Sequence, residues 1–134
     1  MNNNDFSITL IISTYNWPKA LKIILLSVIN QTYLPIEVIV ADDGSRDDTR
    51  ELIEEMQKSF PCKLIHVWQE DNGFRVSEIR NKAIVKAAGD YIVQIDGDII
   101  LEKHFIEDHY LFAQKSFFTQ GSRVKLSPKS SSEI

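Results

Sequence analysis

Two aspartates one residue apart, Asp96 and Asp98, close the run YIVQIDGDII (Tyr91–Ile100) with Gly97 between them. Carboxylates are among the side chains least often buried, so a strand that ends in two of them ends either in a solvated polar turn or at a ligand. In an extended segment, residues two apart project to one side, so both carboxylates can reach one hard cation or the hydroxyls of one sugar. Mg²⁺ or Mn²⁺, held by one or two carboxylates with phosphate oxygens completing the shell, suits such a pair. Gly97 lets the backbone turn tightly or approach a ligand closely.

A second acidic pair, Asp42 and Asp43 in ADDGSRDDT, also ends an apolar run. A carboxylate there can accept a hydrogen bond from a nucleobase N–H or a ribose hydroxyl. Otherwise the stretch is a turn followed by a helix cap from Asp47, Asp48 or Thr49. The segment NGFRVSEIRNKAI sets Arg75, Arg80 and Lys82 near a helix start, where backbone N–H groups and guanidinium forks favour phosphate. Arg75 falls on the rim, whereas Arg80 and Lys82 lie further into the helix, solvated or paired. Asn81 is open to a rim contact or to a structural hydrogen bond. The histidines form no metal motif: His66 sits in a strand as a core or face residue, and His104 and His109 are five apart. Trp17 and Trp68 either pack or stack on a sugar or base.

The elements that position these residues follow from hydrophobic patterning. Four β-branched bursts, Ile8–Ser13, Ile36–Ala41, Lys63–Trp68 and Tyr91–Ile95, are continuous enough to be strands covered on both faces, as in a parallel sheet. Helical spacing runs from Pro18 to Gln31, Asp48 to Phe60 and Val76 to Ala88, the last stopped by Gly89. A final helix spans about His104–Lys115, and FFTQGSRV, Phe117–Val124, is a further strand. Strand and helix alternate, which predicts an α/β doubly wound sheet with ligands outside the carboxyl ends of the strands. Ser13–Asn16, Asp42–Ser45, Gln69–Arg75 and Asp96–Asp98 all fall on that rim.

Composition narrows the class. The 134 residues suit one domain, and 15 basic against 19 acidic side chains give a net charge of −4, which excludes the basic footprint of a nucleic-acid partner. The single cysteine, Cys62, excludes an internal disulfide and reads as a core filler in a reducing compartment. The opening MNNNDFSITLIISTYN has no positive leader and its apolar run is too short for a membrane span, so the sequence reads as cytoplasmic. The tail 125–134 has no apolar periodicity and reads as disordered.

Taken together, ITLIISTYNWPKALKIILLSVINQTYLPIEVIVADDGSRDDT and NGFRVSEIRNKAIVKAAGDYIVQIDGDI closely resemble the nucleotide-binding half of family 2 glycosyltransferases with the GT-A fold. The resemblance covers about Ser7 to Val124, so residues 1–124 read as a partial GT-A domain: a Rossmann-like, mostly parallel sheet flanked by helices and truncated on its C-terminal side. GFR followed by RNKAI is similar to the bacterial chondroitin polymerase-like and galactosyltransferase branch. The acidic pair also resembles the pocket of a response-regulator receiver. That pocket needs an acceptor aspartate after the next strand, where this sequence has Gln69 and Glu70.

The resemblance implies roles by position. Ser13, Thr14 and Tyr15 match the loop that contacts uracil, Asp43 matches the aspartate that recognises it, and Asp42 is the neighbour of that aspartate. Arg75 matches a basic residue near the nucleotide phosphates, with Asn81 and Gly97 in the same donor-binding set. Asp96 and Asp98 match the DxD motif, the first near the ribose and the second on Mn²⁺ or Mg²⁺ bridging the diphosphate. The implied reaction is metal-dependent, inverting transfer from a UDP-sugar to a glycan or lipid-linked acceptor, with many relatives working at the inner membrane surface. None of Glu102, Glu107 or Asp108 matches the family's base. The alternative is therefore a non-catalytic nucleotide-sugar-binding fragment.

Overall fold

The computed structural model describes residues 7–115. The strand expected at Phe117–Val124, the domain boundary at 124 and the tail 125–134 lie outside the described residues. Over the described residues strand and helix alternate: β1 (Ile8–Thr14), α1 (Pro18–Ile29), β2 (Glu37–Asp42), α2 (Asp47–Gln57), β3 (Lys63–Trp68), α3 (Val76–Lys86), β4 (Tyr91–Ile95) and α4 (Phe105–Lys115). The four strands form one sheet in the order β3-β2-β1-β4, and every pairing is parallel.

Burial follows strand position. Every residue of β1 and β2 is buried, as their unbroken apolar runs require, whereas β3 and β4 at the margins are only partly covered. Alternation along the strands sorts the core into two layers. Leu10, Ile12, Val38, Val40 and Val93 face Leu21, Leu25 and Val28 of α1, Ile53 of α2 and Ile106 of α4. On the other face Ile11, Ile39, Ala41 and Val67 meet Ile79 and Ala83 of α3. This is a parallel sheet flanked by helices, the Rossmann-like architecture expected of a GT-A domain.

Several local expectations need correction. Neither Asp47, Asp48 nor Thr49 caps α2: Arg46 is the cap residue and makes no side-chain cap bond, while Asp47 and Asp48 occupy the first turn, where the helix dipole favours acidic groups. Helix α3 ends at Lys86, before Gly89, because the chain turns to meet the sheet. There Glu37, buried at the start of β2, accepts from the Thr9 hydroxyl at 2.7 Å and the Ala88 N–H at 2.6 Å. Cys62 packs against the larger core; burial and the nearby Glu37 carboxylate push its thiol up to about 11, so it stays protonated at neutral pH.

Gln31 secures α4. Its amide donates to the Glu102 carbonyl at 2.7 Å and accepts from the Ile106 N–H at 2.9 Å, stitching the chain after β4 to the end of α1. The larger core carries most of the apolar burial. Leu25→Ala, at a fully enclosed position, is expected to cost about 2–5 kcal/mol by transfer plus cavity formation, read as a lower urea midpoint at unchanged slope.

Candidate functional site

In the strand order β3-β2-β1-β4 the direction of strand addition reverses between β1 and β4, and ligands of such sheets sit outside the carboxyl ends at that point. A cleft of about 450 Å³ opens there, within the range of small-molecule sites. Ser13, Thr14, Tyr15, Trp17, Asp43, Phe74, Val76, Arg80, Asp96, Gly97 and Asp98 line it. A smaller recess of about 170 Å³ adjoins it, sharing Tyr15, Asp43 and Phe74 and adding Asp71 and Gly73.

The β1 loop is held by reciprocal hydrogen bonds. Asn16, at φ 47°, donates its N–H to Ser45 Oγ at 2.7 Å, and its side-chain oxygen accepts from the Arg46 N–H at 2.8 Å. Ser45 is fixed in turn by its N–H to Asp42 Oδ1 at 2.9 Å and by the Trp68 indole N–H on its carbonyl at 3.1 Å. The other oxygen of Asp42 meets His66 Nε2 at 2.8 Å. Gly44 completes this turn at φ 100°, with so little room that a Cβ would lie 2.5 Å from Asp71 Cα.

Asp43 faces the opposite way from Asp42 and organises the next loop. Its Oδ1 accepts from the Gln69 amide and its Oδ2 from the Arg75 N–H, both at 2.8 Å. Lys82 holds the oxygen of that same Gln69 amide at 3.0 Å. Across the smaller recess the Tyr15 hydroxyl donates to Asp71 Oδ2 at 2.8 Å, and this bond holds the phenol above its usual pKa.

At β4 the two acidic residues reach the cleft by a turn: the Ile99 N–H closes on the Asp96 carbonyl at 3.2 Å. Of the two geometries the sequence left open, an extended pair and a tight turn at Gly97, the structure has the turn. Gly97 is required by contact, since a Cβ would stand 2.3 Å from the Ser13 carbonyl oxygen. Asp96 pairs with the Arg80 guanidinium, and Ser13 Oγ donates to the same Oδ1 at 3.5 Å. Asp98 stands exposed on the rim.

Ser13, Thr14, Tyr15, Asp43, Asp96, Gly97 and Asp98 thus share one cleft. Asp42, Arg75 and Asn81 line neither opening. Asp42 is buried with both oxygens engaged, because adjacent strand residues point to opposite faces. The Arg75 guanidinium turns to Glu78 and to the Glu70 carbonyl, and Asn81 is exposed on α3. The basic group in the cleft is Arg80. Its signal was present in the sequence: it follows Val76 by four residues, which puts both on one helix face, and Val76 also lines the cleft.

Among the described residues no group of three or more His, Cys, Asp and Glu side chains stands together to hold a metal ion. The two carboxylates of the DGD turn suit a hard divalent cation that takes the rest of its shell from water and phosphate oxygens. They do not suit a four-ligand zinc centre.

The model of the family described as glycosyl transferase family 2 matches residues 9–132. This chain belongs to that family. Among its family 2 relatives is hyaluronan synthase from Pasteurella multocida, 38% identical over 93 residues, covering 69% of this chain and 9% of that protein. The crystal structure of S. aureus TarS 1-349 in complex with UDP-GlcNAc superposes with a TM-score of 0.72 at 28% identity, covering 81% of this chain and 31% of that one. A mannosyltransferase from Pyrobaculum calidifontis in complex with GDP-Man and Mn²⁺ gives 0.63 at 25%, covering 72% and 29%. The family 2 chain here spans 9% to 35% of the length of eight curated relatives that it matches. Among the described residues no helix is long and apolar enough to cross a membrane.

Two substitutions test the construction of the cleft. Gly97→Ala is expected to cost about 1–3 kcal/mol in urea denaturation, because the turn must move away from a backbone atom. His66→Leu removes one partner of the buried Asp42 carboxylate and is expected to cost about 1–3 kcal/mol, with His66→Gln recovering part of the loss.

Proposed function

We propose that this chain forms the donor-binding part of a metal-dependent glycosyltransferase, which transfers a sugar from a UDP-sugar to an acceptor hydroxyl with inversion. The observation that carries the reading is the single cleft in which Ser13, Thr14, Asp43, Arg80, Asp96 and Asp98 converge, from the carboxyl ends of β1, β2 and β4 and from α3. The similar TarS structure with UDP-GlcNAc supports a UDP-sugar, and the mannosyltransferase with GDP-Man and Mn²⁺ supports the metal.

In this reading Ser13, Thr14, Tyr15 and Asp43 hold the base end of the donor, and Asp96 lies near the ribose. Asp98, with Asp96, would hold Mn²⁺ or Mg²⁺; such a cation supplies Lewis-acid neutralisation of the charge on the departing diphosphate. Arg80 adds a fixed positive charge at the same end of the cleft. The acceptor is a glycan or a lipid-linked sugar at the cytoplasmic side of the inner membrane, and the sequence branch is the chondroitin polymerase-like or galactosyltransferase one.

A second reading, donor binding without turnover, draws on a specific feature of the cleft. Of its three lining aspartates, Asp43 is engaged by Gln69 and Arg75 and Asp96 by Arg80, so neither is free to take a proton from an acceptor.

Calorimetric titration of UDP with and without Mn²⁺ tests the donor site. Binding is expected to require Mn²⁺ and to weaken at least about tenfold in Asp98→Ala, a loss of about 1.4 kcal/mol or more. Absence of UDP binding under both conditions would overturn the proposal. Hydrolysis of the donor separates the catalytic reading from the binding one.

A further inference from the structure

We propose that Arg80 is a ligand for the donor diphosphate held in reserve on Asp96, so that a divalent cation and the diphosphate enter the cleft as a coupled pair. This rests on the reading of the cleft as a nucleotide-diphosphate site. Arg80 reaches across from α3 to Asp96 Oδ1, an oxygen that a cation on the DGD turn would also seek. A guanidinium and a divalent cation on one carboxylate repel each other, so Arg80 opposes a cation arriving alone. The cleft walls carry three carboxylates, Asp43, Asp96 and Asp98, against one guanidinium, and that surplus of negative charge opposes a diphosphate arriving alone.

Both obstacles vanish together. A diphosphate draws Arg80 off Asp96 into a forked, charge-assisted contact, and the Asp96 oxygen that Arg80 leaves, still beside the Ser13 hydroxyl, would take the cation that the diphosphate brings. Arg80 has capacity for the exchange: its Nε is buried without a hydrogen-bond partner among the described residues. The Nε of Arg75 is likewise buried without a partner among the described residues, but its guanidinium is held by Glu78 and the Glu70 carbonyl and lines neither opening, so only Arg80 stands where a diphosphate would lie.

The test uses the full chain and two probes, Mn²⁺ alone and UDP at saturating Mn²⁺. Paramagnetic resonance of free Mn²⁺ reads the first and calorimetry the second, for the wild type, Arg80→Gln and Arg80→Lys, with circular dichroism reporting folding. Arg80→Gln is expected to bind Mn²⁺ alone at least about fivefold more tightly and UDP at least about tenfold more weakly. The factor by which UDP tightens Mn²⁺ then falls, as linkage requires. Arg80→Lys keeps the charge without the fork, so it is expected to stay near wild type for Mn²⁺ alone and to lose UDP affinity. Unchanged or weaker Mn²⁺ binding in folded Arg80→Gln overturns the inference. So does a wild type that takes Mn²⁺ equally well with and without UDP. A wild type that binds no UDP overturns the donor-site reading instead, and the Mn²⁺-alone comparison still decides whether Arg80 and the cation compete.

Discussion

Strand β1 is hydrogen-bonded along both edges, to β2 on one side and β4 on the other, and buries every side chain it carries. Its position brings residues distant in the chain into contact: Ser13 and Asp96 are 83 positions apart, yet their side chains meet at the carboxyl edge of the sheet. The tight fit of Gly97 under the Ser13 carbonyl depends on that same pairing. Two interior strands with unbroken apolar runs thus do more than fill a core. They fix the relative height of three loops whose own sequences are too polar to pack.

Charge inside this fold is divided between structure and solvent. Glu37, Asp42 and Asp43 are all buried, and each carboxylate accepts at least two hydrogen bonds or an ion pair from a neighbouring segment. A buried carboxylate without such partners would be costly, so these residues act as staples that fail if one partner is removed. Asp98 has the opposite character, since it lies exposed on the rim of the cleft. The acidic excess of the sequence is therefore a poor guide to the charge a ligand meets, because much of it is already committed inside.

The strands were legible because their apolar runs are long relative to the sheet, and β3 and β4 have the limits that patterning predicts. The direction of individual side chains was harder to read. At the end of β2 Asp43 lines the cleft while Asp42 points to the other side of the sheet, a division the pleat explains once Ala41 is known to face α3. Which of Arg75 and Arg80 lines the cleft was hard to read for a similar reason: Arg80 does and Arg75 does not. Nearness to the helix start favoured Arg75, but Glu78 three residues on captures it, whereas Arg80 shares a face with Val76. The turn at Asp96–Ile99 was one of two readings that DGD left open, because an extended pair and a tight turn are equally compatible with it.

The two ends of the cleft differ in stiffness. At Gly97 the wall is backbone against backbone, set by the register of β1 and β4, and it cannot widen without breaking sheet pairing. At the smaller recess the two sides are joined by the solvent-exposed bond from the Tyr15 hydroxyl to Asp71, beside a Phe74 ring that is 88% exposed. The DGD end is thus bounded by backbone tied to the sheet, and the Tyr15 end by side chains that can swing without disturbing a strand.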